Sequence, residues 1–247
     1  MRSFLIALQF LTILPINIAP NVEKKDFGRS LVWFPFVGAL LGLILSLGIF
    51  LFGFLPQMVI AALILAGSVI ITGGIHLDGF ADTCDGLCVF TAKERALEIM
   101  RDSHIGTMAA VGIAMLLILK FSILATIPQG IMWKYLVLMA AFARWAQVLS
   151  CFSSRYARQE GKAKYFIEYA GWRELTIGGV FILSLFILLL GIKGLNLFLA
   201  SILPILILLN YIKNKIGGMT GDTIGAISEV AETGVLLFGL IFLRIGL

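Results

Sequence analysis

GGIHLDGFADTCDGLCVFTAKERALEIMRDSHIG, residues 73–106, lies between two stretches apolar enough to cross a bilayer. It gathers Asp78, Asp82, Asp85 and Asp102 with His76, Arg101, Ser103 and His104. The steps from 78 to 82 and from 82 to 85 are four and three residues. On a helix, at ~100° per residue, these three carboxylates fall within an arc of about 60° and share one face. Like charges side by side repel, and a fold tolerates them mainly when a cation sits between them. The plainer alternative is a solvated acidic loop, but glycines (Gly79, Gly86) and apolar residues separate these acids, not further hydrophiles. Asp78, Asp82 and Asp85 are therefore expected to ligate a divalent metal at the edge of a membrane. An all-oxygen set favours Mg²⁺, Mn²⁺ or Ca²⁺, and Mg²⁺ commonly binds through carboxylates plus substrate phosphates.

Working outward, the 247 residues are 60% hydrophobic and 13% charged, with a mean hydropathy of +1.03. Soluble domains are nearer 45–50% apolar and about 25% charged. The chain reads as an all-α, polytopic integral membrane bundle, a single domain over 1–247. Spans are expected at about 30–54, 57–76, 105–127, 132–152, 175–192, 195–212 and 227–246, seven in all. Residues 4–16, ended by Pro15 and Pro20, suit a half-membrane or interfacial helix, followed by a polar patch at 21–29. A loop of 27 residues is expected after span two, and a polar break over 213–226 before span seven. Gly38 and Gly42, four apart, allow another helix to approach closely. No signal-peptide cleavage site is apparent at the N-terminus.

The net charge of +5 reports topology here, not nucleic-acid binding. Lys and Arg concentrate in 1–29, 77–103, 153–174 and 213–223, whereas the opposite turns and the C-terminus hold Lys134, Lys193 and Arg244. The positive-inside rule puts the former segments in the cytoplasm and the C-terminus outside. All 14 acidic residues lie in those segments or in the opening turns of span seven. Loops 73–106, 153–174 and 213–232 are thus expected to hold the chemistry, facing the cytoplasm. The odd count of three cysteines fits reduced thiols in that compartment.

Two further stretches join the acidic one. Arg101, Ser103 and His104 precede span three, where a helix start suits a phosphate; interfacial capping is the alternative. Gly217 to Ala226 (GGMTGDTIGA) lacks the Lys-Ser/Thr ending of a P-loop. Its Thr220, Gly221 and Asp222 could cradle a phosphate or complete a metal shell, or form an interhelical turn. Gly73-Gly74 with Asp78 echoes Gly217-Gly218 with Asp222 at an offset of 144, and Asp85 then falls on Glu229. A parallel duplication would bring two acidic clusters to one site. Glu229 and Glu232 enter a span at a cost of about 2.5–3.5 kcal/mol on insertion scales for a central Asp. Arg144, deep in span four with Gln147 at i+3, is expected on ligand phosphate or an acidic partner. Lys120 is expected to snorkel outward. A zinc site from His76, His104, Cys84 and Cys88 would need irregular separations.

Taken together, GGIHLDGFADTCDGL, RDSHIGTMAAVG and GGMTGDTIGA resemble the hallmarks of the cobalamin synthase (adenosylcobinamide-GDP ribazoletransferase) family. The opening MRSFLIALQFLTILPI, Phe34-Pro35 with Gly38, and Arg144-Trp145 extend the resemblance over nearly the whole chain. Cys84 departs from the small residue, such as Ala, expected there. The resemblance implies a cell-membrane, multi-pass enzyme in which an α-ribazole (or its 5′-phosphate) hydroxyl displaces GMP from adenosylcobinamide-GDP, giving adenosylcobalamin or its 5′-phosphate. Mg²⁺ is its expected cofactor, and membrane lipid and other cobalamin-assembly enzymes are its candidate partners; no nucleic acid is expected. Asp82, Asp102 and Asp222 are the expected catalytic groups. His76, Arg101, Ser103, His104, Arg144, Thr220 and Gly221 are expected to contact substrate. The competing readings are an ion-coupled secondary transporter using Asp78, Asp222 and Glu229, and an assembly scaffold with an acidic docking loop. The gathering of nearly all acids on one side favours an enzyme over the transporter, and a scaffold would need no ordered aspartate spacing.

Overall fold

The computed structural model describes residues 2–16, 22–89 and 91–246; Pro20 and Asn21, at the end of the N-terminal run, lie outside them. Among the described residues the chain is all helical. The elements run α1 (Arg2–Leu11), α2 (Lys24–Ser30), α3 (Phe34–Phe52), α4 (Gln57–Thr72), α5 (Ile75–Leu87) and α6 (Lys93–Ile99). They continue with α7 (Thr107–Leu124), α8 (Gln129–Phe152), α9 (Lys164–Glu168), α10 (Trp172–Leu190), α11 (Ile192–Ile216) and α12 (Gly221–Ile245). Among the described residues six units are long and apolar enough to cross a membrane, with α2 and α3 counted together. The pair α4–α5 makes a seventh if it is taken as one bent span. That agrees with the expected bundle of about seven spans beside a short N-terminal helix.

The bundle is built around α8. Its run from Tyr135 to Val148 is buried without interruption, as a helix apolar on nearly every side requires, with Arg144 and Gln147 as buried polar exceptions. α3 lies against it at a distance only glycine permits: a methyl group at Gly38 would sit 2.4 Å from the Ala140 carbonyl oxygen, and one at Gly42 2.5 Å from that of Leu136. The small-residue pair thus serves the close approach expected of it. α12 and α10 flank α8 on other sides.

Gly73 (φ 63°) and Gly74 (φ 67°) both take the left-handed conformation that residues with a Cβ adopt only under strain. Their N–H groups close the end of α4 on the carbonyls of Ile70 and Val69, and α5 leaves at 90° to α4. The first part of the acidic stretch therefore forms its own helix beside the start of α12. This corrects two expectations. The segment after residue 76 is largely helical (α5 and α6), not a loop, and the break before the last span narrows to 217–220, because α11 continues to Ile216 and α12 begins at Gly221. Lys134 and Lys193, at the opposite end, donate to the carbonyls of Leu189 (3.0 Å) and Gly246 (2.9 Å), where α10 and α12 finish. Basic side chains there satisfy orphaned helix carbonyls.

Candidate active site

α5 and α12 cross through two glycines. A methyl group at Gly79 would lie 2.7 Å from the Asp222 carbonyl oxygen, and one at Gly225 would lie 3.2 Å from the His76 backbone. This contact joins the two acidic motifs. Asp82 is half-buried and feels the negative charges of Asp222, Asp78 and Asp85, offset by Arg158. Arg158 donates to Asp222 at 2.8 Å, and its Nε is buried without a partner. The convergence suggested by the internal echo holds for Asp78 and Asp222. It does not extend to Asp85 and Glu229, which face different neighbours.

Asp222 is placed by the start of α12. Thr220 and Thr223 form a reciprocal cap: the Thr220 hydroxyl accepts from the Thr223 N–H at 3.2 Å, and the Thr223 hydroxyl accepts from the Thr220 N–H at 2.8 Å. Thr220 is fully buried in this role, while Gly221 lines the cavity described below. Arg158 is placed by backbone pairing. Met219 N–H donates to Arg155 O (2.9 Å) and Ala157 N–H to Met219 O (2.8 Å), tying the 153–163 loop to the turn before α12. Gly218 permits it, since a Cβ there would meet the Arg155 carbonyl at 2.5 Å.

Beside these groups is a cavity of about 300 Å³, lined on its polar part by Asp78, Asp222, Arg158, His76 and Gln147 and on its apolar part by Phe10, Phe34 and Phe166. His76 and Gln147 are buried and lie 3.3 Å apart. Tyr156 and Lys162 reach the cavity from the loop, and burial pushes the Tyr156 phenol above its usual pKa.

The remaining expected site residues are dispersed. Both Asp85 oxygens accept backbone N–H groups at the start of α7, from Gly106 at 2.7 Å and Ala109 at 2.9 Å. Asp102, Arg101, Ser103 and His104 are exposed on the neighbouring turn. Asp102 accepts from the His104 backbone and pairs with its ring at 2.6 Å, which lowers the Asp102 pKa. Arg144 is 2% exposed and pairs with Glu232, the acidic-partner alternative. Lys120 does not snorkel: it is buried and bonds Glu229 (2.6 Å) and Glu232 (2.7 Å). Two cations and two anions thus neutralise one another inside the bundle, where an unpaired charge would be costly. His76 and His104, in these separate settings, do not make a zinc site.

The donor set around Asp78, Asp82 and Asp222 is all oxygen, which suits Mg²⁺. Among the described residues no three His, Cys, Asp or Glu side chains converge closely enough to hold an ion by themselves. An ion held here would need water and substrate phosphate to complete its shell. Arg158, Tyr156 and Lys162 were missed as individual site residues. The available signal was the basic run 155–164 (RYARQEGKAK) in a polar segment on the same side as the acids.

Apolar spans with an acid-lined cavity at one end of the bundle define a polytopic helical membrane protein with a polar site. Within that class, the chain belongs to the cobalamin-5-phosphate synthase family, whose model matches residues 3–240. It is 35% identical over 244 residues to adenosylcobinamide-GDP ribazoletransferase of Acetivibrio thermocellus, covering 98% of each chain. The protein of the same name in Clostridium acetobutylicum is 37% identical over 238 residues, 96% of this chain and 94% of the relative. That of Desulfitobacterium hafniense is 39% identical over 243 residues, 96% of each. No solved structure matches the chain. Membership in this family makes the chain an enzyme of cobalamin biosynthesis, in place of a transporter or scaffold.

Proposed function

We propose that the protein joins adenosylcobinamide-GDP to α-ribazole, or to its 5′-phosphate, and releases GMP. The observation that carries the reading is the meeting of Asp78, Asp82 and Asp222 with Arg158 beside a cavity of small-molecule size. The acceptor hydroxyl oxygen forms a bond to the cobinamide-side phosphorus, the bond from that phosphorus to the oxygen of GMP breaks, and the hydroxyl proton passes to a carboxylate. Asp82 is the better proton acceptor, because Asp222 is engaged by Arg158. Arg158 keeps its bond to Asp222 and offers its unpartnered Nε–H to a phosphate oxygen as substrate enters, with the planar guanidinium that phosphates prefer.

A Mg²⁺ ion held by Asp78 and Asp82, with Asp222 beside them, would offset the diphosphate charge and stabilise the leaving phosphate. In this scheme Asp85 keeps its place on α7 and orients α5, while Arg101, Ser103, His104 and Asp102 form the outer rim that meets the larger substrate. Arg144 acts from within the bundle, through Glu232 and the buried ion cluster. The site is assigned to the cytoplasmic face of the cell membrane, with the C-terminus outside.

The test is GMP release by the purified full-length protein from adenosylcobinamide-GDP, with and without α-ribazole and with and without Mg²⁺. Release that needs all three components supports the reading; release without α-ribazole, or undiminished by chelation, overturns the acceptor or the metal assignment respectively.

A further inference from the structure

The cavity has two unlike parts, and they differ in what they can recognise. Phe166 packs among Phe10, Phe34 and Phe27, with ring centroids 4.5, 5.6 and 5.4 Å away. Phe10, Phe34 and Phe166 line the cavity together with Ile75 and Ala163, so this part offers aromatic and aliphatic carbon. On the polar part, Gln147 is 1% exposed, and its Oε1 is buried with no hydrogen-bond partner. A buried amide oxygen left unpaired is costly and marks a place where a ligand donor is wanted.

We infer that this cavity is the acceptor subsite: the planar benzimidazole of the ribazole lies against Phe10, Phe34 and Phe166, and a ribose hydroxyl donates to Gln147 Oε1. The inference rests on the proposed function and adds which substrate occupies which space. Volume decides first. About 300 Å³ is at the small end of ligand pockets, enough for a nucleoside and far too little for a corrin ring with its side chains. Chemistry decides between the two nucleoside-like candidates. The guanine edge carries an amino group, a ring N–H and a carbonyl, all of which an aromatic wall would leave unpaired. The dimethylbenzimidazole edge is hydrocarbon and loses nothing there. With its base so placed, the ribose points toward Asp78 and Asp222, which bring its hydroxyl to the reacting phosphorus.

The experiment uses purified full-length protein and two probes, α-ribazole, followed by its own benzimidazole fluorescence, and GMP, followed by competition. Phe10→Ala is expected to weaken α-ribazole binding about tenfold. Its KM for α-ribazole should rise in proportion, while its KM for adenosylcobinamide-GDP moves less than about twofold. Phe10→Leu, which keeps most of the volume, should fall between the two, and Gln147→Met should weaken α-ribazole with the aromatic wall intact. Unchanged α-ribazole affinity in both Phe10→Ala and Gln147→Met overturns the inference. So does a loss that falls on GMP and adenosylcobinamide-GDP instead, which would place guanine in the cavity. Because binding is read without turnover, absence of GMP release by the unaltered protein would defeat the proposed function and leave the subsite to be decided by fluorescence.

Discussion

Asp82 and Asp85 are three residues apart on one helix, and the structure gives them different work. Asp82 is half-buried among Asp78, Asp222 and Arg158; Asp85 spends its oxygens on two N–H groups of α7. Asparagine keeps one accepting oxygen, enough for one of the two N–H groups at Asp85, but has no charge to hold an ion or to take a proton. Asp82→Asn is therefore expected to lower turnover by about a hundredfold or more, with membrane insertion and thermal unfolding unaltered. Asp85→Asn should keep most of its activity, whereas Asp85→Ala should lose roughly 1–2 kcal/mol of stability through the missing cap. GMP-release rates and unfolding midpoints of the three variants check this, and equal inactivation by asparagine at both positions would return Asp85 to the metal shell. The spacing of residues 78, 82 and 85 showed that they share a helix. It could not show that the next helix would begin within reach of the last of them.

At the scale of elements, α7, α8 and α12 are held by charges, not only by shape. Lys120, Arg144, Glu229 and Glu232 come from these three helices and bond within the bundle. Counting along α12, Glu229 lies about 12 Å from the helix start at ~1.5 Å per residue, a depth at which an isolated carboxylate would not remain ionised at low cost. Glu232 is shared by both cations, so its removal leaves one anion for two. Glu232→Gln is expected to destabilise the protein by about 3–5 kcal/mol, read as an earlier thermal unfolding transition in detergent. The paired change Lys120→Met with Glu229→Met removes one charge of each sign and should cost far less, because an apolar replacement of a buried pair is often neutral. If the double variant falls as far as Glu232→Gln, the cluster does not act through charge balance. Lys120 defeated sequence reading for a simple reason: its two partners are 109 and 112 residues away, and a lone lysine in an apolar run looks the same whether it snorkels or pairs.

For the whole molecule, what was legible is what local chemistry dictates. Apolar length marked the spans, the Gly38–Gly42 spacing marked the tight helix contact, and the four- and three-residue steps placed the carboxylates on one helix. The bend at Gly73–Gly74 was obscured by hydropathy, which continues through Ile75 and Leu77 while the backbone turns by 90°. Arg158 depends on pairing between Arg155–Ala157 and Met219, a long-range match with no periodic signature. Sidedness is a property of the whole chain. The acids and most Lys and Arg gather near the ends of α8 and α11 and the start of α12, whereas Lys134, Lys193 and Arg244 sit at the other end. The positive-inside rule predicts that the richer end, and the cavity with it, faces the cytoplasm. Cysteines introduced at Gln159 and Lys193, in a background lacking Cys84, Cys88 and Cys151, test this directly with a membrane-impermeant maleimide. In intact cells Lys193→Cys should be labelled and Gln159→Cys protected, and in inside-out vesicles the pattern should reverse. Both positions are exposed, Gln159 in the 153–163 loop and Lys193 at the first turn of α11, so the one bond lost is that from Lys193 to the Gly246 carbonyl. Labelling of Gln159→Cys from outside would place the acid-lined cavity on the far face and deprive it of a cytoplasmic nucleotide-linked substrate.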